Sequence, residues 1–128
     1  MSKTSTKAKL AMMQEFAKFM DNGSQSATVI FYQGLQPATP SVAADPTKAL
    51  VTLTLPEPCT KDVTATYVEL HPSDTATVTK TGTATWARIC NGASEVAADL
   101  TVGTDITLAN TNLVVGGTLN IQSIKLRP

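Results

Sequence analysis

The residue types that most often carry chemistry are sparse in this sequence of 128 residues. His71 is its one histidine, and it is followed directly by Pro72, Ser73 and Asp74. A general base acts on a nucleophile that it can hydrogen-bond, while a third group orients the base. Ser73 and Asp74 are only chain neighbours of His71, and the His-Pro-Ser-Asp run is typical of a solvated turn. The histidine therefore predicts a turn and no catalytic site.

Metal ligands are also too few and too widely spaced for a recognisable site. Cys59 and Cys90 do not form a CxxC pair, and neither has enough cysteine or histidine partners for zinc. Asp99 and Asp105 flank Gly103, but the alternating ligands of a calcium-binding loop are absent. We expect no metal and no cofactor, two free thiols of which Cys90 is buried, and two aspartates that face solvent.

Composition and motifs argue against further classes of function. The sequence lacks the GxGxxG, GxxxxGK[ST], GxSxG and HExxH motifs, so no enzyme is predicted. Ten basic residues balance ten acidic ones, whereas nucleic-acid binding needs clustered basic charge. The uncharged run from Ile106 to Ile124 is long enough for a membrane span, but it contains Asn, Gln, Thr and two adjacent glycines. We expect neither nucleic acid nor membrane as a partner.

The first element that could position a binding surface is a predicted N-terminal helix. Apolar residues at helical spacing form a stripe that consists of Leu10, Met13, Ala17 and Met20, with Phe16 beside it. Ser5 or Thr6 can cap the start, and Asn22-Gly23 provides a left-handed end. A secretory signal is the rival interpretation, but polar residues interrupt the apolar run. The sequence predicts that residues 1–23 form an amphipathic helix, either packed on the domain or used as an arm on a neighbouring subunit.

Residues 24–128 are predicted to form a mainly β domain, an antiparallel β-sandwich or jelly roll, because short alternating runs are separated by turn residues. The apolar run Thr28–Tyr32 predicts a central strand. Gln33–Lys48, which contains three prolines, predicts an ordered but irregular surface loop. Asn91-Gly92 predicts a hairpin with a type I′ turn. The alternation slips at Gln122–Ser123, which predicts a bulge or a change of sheet.

Trp86 and Arg88 share one face of a predicted strand. Trp86 is the one tryptophan, and its phase favours a core anchor over a platform that stacks on a ligand. An arginine is unusual at a core position. We consider three explanations for Arg88: a place near the sheet end, a pair with Asp99 or Glu95, or a contact with a partner subunit.

A family resemblance is carried by turn and strand residues spread over most of the chain after residue 20. The segments are Gly82–Gly92 (GTATWARICNG), Asp99–Gly103, Asp105–Leu108 and Val115–Ile121, with Ile30–Pro37 upstream. Together they resemble a group of small structural proteins of tailed bacteriophages, although Cys90 and the loop around Cys59 depart from that group. The resemblance implies a virion component that is made in the bacterial cytoplasm, where cysteines stay reduced. It carries over no catalytic residue.

The function expected from this resemblance is that of a capsid decoration protein. Its partners would be the major capsid protein and further copies of itself, with a homotrimer expected. A neck, tail or baseplate protein is the first alternative. A carbohydrate-binding sandwich is less favoured, because few aromatic residues are available to stack on sugars. The candidate partner contacts are the basic side chains of Lys3, Lys7, Lys9, Lys18 and Arg88.

Overall fold

The computed structural model describes residues 5–23, 25–56, 59–108, 110–121 and 124–127. These residues form one α-helix, one short 3-10 helix at Pro46–Lys48 and eleven strands. The helix is α1 (Thr6–Met20), and the strands are β1 (Thr28–Tyr32), β2 (Ala49–Thr54), β3 (Thr60–Val63), β4 (Val68–Leu70), β5 (Ala76–Thr77), β6 (Gly82–Thr83), β7 (Trp86–Cys90), β8 (Val96–Thr101), β9 (Asn112–Leu113), β10 (Thr118–Leu119) and β11 (Ile124–Leu126). All pairings between these strands are antiparallel, so the predicted mainly β, sandwich-like class is confirmed.

The largest sheet has four strands in the order β2-β1-β7-β8. β1 is hydrogen-bonded on both sides and is the central strand that its apolar run predicts. Phe31 of β1 lies between Val51 of β2 and Ala87 of β7. Val29, two residues earlier, likewise lies between one residue of β2 and one of β7. These side chains are buried and belong to the hydrophobic core. Because side chains alternate along a strand, Tyr32, Trp86 and Arg88 project from the opposite face.

The other described strands form a three-stranded sheet, β11-β4-β3, and two pairs, β10-β5 and β6-β9. The C-terminal segment contributes to two of these sheets, because β10 pairs with β5 whereas β11 pairs with β4. Of the two predicted alternatives, a bulge or a change of sheet, the change of sheet is observed. Gln122 and Ser123, where the alternation slips, lie outside the described residues.

The hairpin between β7 and β8 forms as predicted, but its turn type is different. The N–H of Asn91 donates to the carbonyl of Glu95 (2.9 Å), and Ser94, not Gly92, has positive φ (64°). The prediction of a type I′ turn is therefore wrong. Asn91 is buried, and its side-chain oxygen accepts from the N–H of Glu95 (3.0 Å), which favours the longer loop. A Cβ on Gly92 would lie 1.8 Å from the carbonyl oxygen of Gln25, so this position requires glycine.

The helix packs on β3 and β4 of the same chain. Ser5 caps the start of the helix, because its hydroxyl oxygen accepts a hydrogen bond from the N–H of Ala8 (3.2 Å). Ser5 was one of the two caps that the sequence predicted. Met13, Ala17 and Met20 are buried, as the apolar stripe predicts. Among the described residues, no helix is long and apolar enough to span a membrane.

Three contacts hold the C-terminal end of the helix. They are the N–H of Cys59 to Asp21 Oδ1 (2.6 Å), Cys59 Sγ to the carbonyl of Met20 (3.6 Å) and Asn91 Nδ2 to the carbonyl of Phe19 (2.9 Å). The helix is thereby connected both to the loop before β3 and to the β7–β8 hairpin.

Candidate binding site

An irregular segment covers the outer face of the four-stranded sheet. We call residues Gln33–Asp45 the proline loop, because Pro37 and Pro40 lie within it. Its anchors are hydrogen bonds from Gln33 N to the Lys48 carbonyl (3.1 Å), from Thr85 Oγ1 to the Gly34 carbonyl (2.6 Å) and from Thr101 Oγ1 to Gln36 Oε1 (2.8 Å). The loop is ordered but irregular, as its composition predicts. Both faces of β7 are consequently covered.

Arg88 forms a buried ion pair beneath this loop. Its Nε and Nη2 donate to the two carboxylate oxygens of Asp99 at 2.7 and 3.0 Å, and Nη2 also donates to the carbonyl of Val42 (2.7 Å). The hydrogen bond to Asp99 raises the pKa of Arg88 above its ordinary value. Of the explanations that the sequence left open for Arg88, the pair with Asp99 is the one observed.

The expectation that Asp99 and Asp105 face solvent requires one correction. The Asp99 side chain is buried, because the ion pair places it under the proline loop. Asp105 is exposed as expected, and its carboxylate accepts from the N–H of Thr101 (2.9 Å). Both carboxylates therefore have local structural partners, and the described residues contain no group of three or more His, Cys, Asp or Glu that could hold a metal ion.

Trp86 stacks on Tyr32 next to the ion pair. The ring centroids are 4.4 Å apart with an interplanar angle of 15°, and the Arg88 guanidinium lies over the Trp86 ring at 5.4 Å. Burial raises the pKa of Tyr32. Trp86 is only 2% exposed, so it is an anchor as predicted, but it lies under the proline loop and outside the main hydrophobic cluster. Its Nε1 is buried without a hydrogen-bond partner.

A cavity of about 180 Å³ lies between the stacked rings and the proline loop. Its walls include Tyr32, Trp86, Leu35, Asp45 and Lys48. Leu35, on the loop side of the cavity, is 92% exposed. The outer face of the sheet therefore presents an aromatic cavity with a charged rim.

A second apolar surface lies at the turn between β9 and β10. Val114 and Val115 are 61% and 57% exposed, and Val114 helps to line a cleft of about 690 Å³ together with Asn112 and Asn120. Exposed apolar side chains that cluster beside a cleft are typical of contact surfaces. Sequence reasoning missed this surface, although the run Val-Val-Gly-Gly, apolar residues immediately before a turn, is a signal that could have indicated it.

The predicted basic contacts do not form one surface. Lys7, Lys9 and Lys18 are exposed on the helix, and Lys18 pairs with Glu15 (3.2 Å). Lys3 lies outside the described residues. Arg88 is buried under the proline loop, so it shares no exposed surface with the lysines.

The residues considered first for chemistry are used structurally. Ser73 is buried, its N–H donates to the carbonyl of Ile121 (2.8 Å), and its hydroxyl oxygen accepts from the N–H of Ile121 (2.8 Å). His71 N–H donates to the carbonyl of Cys59 (2.8 Å), which fixes the chain between β4 and β5. The hydroxyl of Ser73 is thus committed to holding the C-terminal segment.

Both cysteines are free thiols, as expected. The predicted burial of Cys90 is wrong, since Cys90 is only half-buried, whereas Cys59 is buried. The end of the helix covers Cys59, whereas Cys90 ends β7 near the hairpin. Burial, with a smaller effect of Asp21, raises the pKa of Cys59 to about 12, and burial also raises that of Cys90.

Comparisons with known protein families, curated proteins and solved structures found no match to this chain.

Proposed function

We propose that the protein is a non-enzymatic structural component of a bacteriophage virion, a capsid decoration protein that binds the mature shell. The resemblance of segments such as Gly82–Gly92 and Val115–Ile121 to small phage structural proteins supports the virion role. The observation that carries the contact role is the exposed Val114–Val115 turn beside its cleft. These valines lie on a short turn between β9 and β10, which are held by β6 and β5, so a partner can bury them at little cost in conformational entropy.

Such a protein stabilises a shell by binding one lattice state more tightly than the other. If the site exists only on the mature lattice, binding shifts the equilibrium toward that lattice by mass action. A homotrimer would contact several major capsid protein subunits at once and gain avidity from modest individual contacts. Lys7 and Lys9 on the exposed helix surface, with Lys3 before it, are proposed to meet acidic groups of a neighbouring protein.

Two alternatives to a capsid decoration protein are a structural protein at another position in the virion and a protein that binds carbohydrate. A neck, tail or baseplate protein would use the same apolar turn against other partners. The burial of both Tyr32 and Trp86 argues against a carbohydrate-binding platform, because sugars stack on exposed rings.

Mass spectrometry of separated heads and tails tests the location in the virion. Recovery with heads supports decoration, recovery with tails alone favours the alternative, and absence from both contradicts a virion role. Sedimentation of the purified protein tests the trimer, which a monomer at all concentrations would contradict.

A binding assay tests the contact surface. We expect the double variant Val114→Ser/Val115→Ser to lose most of its co-sedimentation with purified mature shells. The control is Met12→Ser, which changes an apolar side chain of similar exposure on the helix. Equal binding by the two variants would contradict a role for the turn.

A further inference from the structure

We infer that Asn22-Gly23 is a site of spontaneous covalent modification, at which the asparagine side chain converts to an acid, whereas the fold protects the identical pair Asn91-Gly92. The sequence contains the Asn-Gly pair at these two positions. The inference depends on the different surroundings of the two pairs and not on the proposed virion role.

The reaction needs only the Asn-Gly pair and water. The main-chain nitrogen of the glycine loses its proton to solvent and attacks Cγ of the preceding asparagine. A Cγ–N bond forms and the Cγ–Nδ2 bond breaks, and Nδ2 takes up a proton from solvent and leaves as ammonia. Water then opens the cyclic imide, which gives aspartate when it adds to Cγ and isoaspartate when it adds to the main-chain carbonyl. Glycine favours the attack, because it has no Cβ to hinder its nitrogen.

Asn22-Gly23 is open to solvent and free to react. The pair follows Asp21, the C-cap of α1, and both of its residues are exposed. Among the described residues, neither the Asn22 side chain nor the Gly23 N–H has a hydrogen-bond partner, so the carboxamide can turn toward the Gly23 nitrogen. Gly23 has φ +102°, and a Cβ there would lie 2.3 Å from the main-chain nitrogen of Ala93. The fold therefore requires the glycine that makes Asn22 reactive.

Asn91-Gly92 is buried, and the Asn91 side chain is held on all sides. Asn91 is 2% exposed, and its Nδ2 donates to the carbonyl of Phe19 (2.9 Å) and to Glu95 Oε1 (3.2 Å). Its Oδ1 accepts from the N–H groups of Ala93 and Glu95, both at 3.0 Å. Cyclisation would turn the carboxamide and break these hydrogen bonds, and buried polar groups without partners are unfavourable. Local opening must therefore precede the reaction at Asn91.

The product at position 22 places a negative charge at the unfavourable end of the helix. Asp21 is already an acid at the C-cap, and a second carboxylate beside it faces the negative end of the helix dipole. Isoaspartate also lengthens the main chain between α1 and β1 by one carbon atom. Asp21 Oδ1 accepts from the N–H of Cys59, so the new charge acts next to a contact that holds the helix end. We expect the modified chain to hold its helix less firmly.

Peptide mapping by mass spectrometry measures both sites in one sample, through the mass gain of an amide that becomes an acid. The purified protein is incubated at mildly alkaline pH, which promotes loss of the glycine N–H proton. We expect Asn22 to be modified at least about ten-fold faster than Asn91, because the cost of local opening lowers the rate at Asn91. In urea, where the fold covers neither pair, the two should be modified at similar rates. Equal rates in the native protein, or a native ratio that persists in urea, would overturn the inference.

Two variants at position 22 test the assignment and its consequence. Asn22→Gln keeps a neutral carboxamide but has a longer side chain, so the mass gain in the peptide that contains position 22 should disappear. Persistence of that mass gain would place the reaction at another residue and contradict the inference. Asn22→Asp carries the charge of the product, and we expect its helical circular dichroism to be lost at lower urea than that of Asn22→Gln. Coincident unfolding of the two variants would overturn the predicted effect on the helix.

Discussion

At the scale of single residues, Arg88 connects the β7–β8 hairpin to a loop that is distant in sequence. It joins β7 to β8 through Asp99 and to the proline loop through the carbonyl of Val42. Ionised groups that leave water need both a partner and satisfied hydrogen bonds, and this arrangement provides them. The arginine therefore fixes where the loop sits over the sheet.

Removing one member of this pair should be strongly destabilising. We expect Arg88→Met to lower the free energy of unfolding by about 3–5 kcal/mol, because it leaves the Asp99 carboxylate buried and unpaired. Urea unfolding followed by circular dichroism measures the change. The exposed pair is the control, since Lys18→Met should change stability by less than about 1 kcal/mol. The double variant Arg88→Met/Asp99→Leu should recover part of the loss, and no recovery would contradict the explanation.

The two thiols should react at different rates in the native protein. Cys59 is buried beneath the helix end and its pKa is raised to about 12, whereas Cys90 is only half-buried. A chromogenic disulfide reagent should therefore label Cys90 first, and label Cys59 only when the protein unfolds. Mass spectrometry after partial labelling identifies the modified residue. Two unreactive cysteines after denaturation would indicate a disulfide and would contradict the reduced state expected from the resemblance.

The raised pKa of Cys59 also predicts a pH dependence of stability. The folded pKa is about 12 against an ordinary value of 9.0, so above pH 9 the unfolded chain loses this proton first. The contribution of the thiol is complete below the ordinary value and is lost as the pH rises from there toward the folded pKa. Urea unfolding from neutral pH upward should show a shallower decline for Cys59→Ser than for the unmodified protein. Parallel declines would contradict the prediction.

At the scale of elements, the helix shows how an amphipathic stripe finds its partner. Its buried face packs on β3 and β4, and its last turn is held by Cys59 and Asn91. In this structure the helix is thus docked on its own chain, with its charged side chains outward. The docked face includes apolar side chains that would otherwise be open to water.

Shortening methionine side chains of the helix should distinguish its buried positions from its exposed ones. Met20 is 1% exposed, and Met20→Ala should cost about 2–5 kcal/mol through lost burial and a residual cavity. Met12 is 56% exposed, and Met12→Ala should change stability by no more than about 0.5 kcal/mol. Thermal or urea unfolding measures both variants. Equal, small effects would favour a helix that acts as an arm on another subunit.

At the scale of the whole molecule, one cluster of buried side chains extends from Met13 in the helix to Leu126 in the C-terminal strand. We therefore expect the helix and the sheets to unfold together. Fluorescence of Trp86 reports on the four-stranded sheet, and helical circular dichroism reports on α1. Under urea the two signals should give coincident transitions. Loss of the helical signal at lower urea would show that the helix is only marginally attached.

The sequence by itself determined the features that follow from local pattern. The helix, the central strand Thr28–Tyr32 and the change of sheet before Ile124 were predictable, because apolar spacing sets which side of an element is buried. The turn type at Asn91-Gly92 was not, because the buried Asn91 side chain and the approach of Gln25 select another loop.

Only the tertiary structure decided which distant segments meet. Arg88 and Trp86 lie under the proline loop, Cys59 lies under the helix end, and the cavity forms where Lys48 and the loop face the stacked rings. The apolar periodicity of the sequence does not predict these contacts. Each of them joins two segments that are far apart in the chain, and periodicity within a segment does not show which distant segment lies next to it. Burial of a charge or a thiol depends on what covers it, and the covering segment is placed only when the whole core has formed.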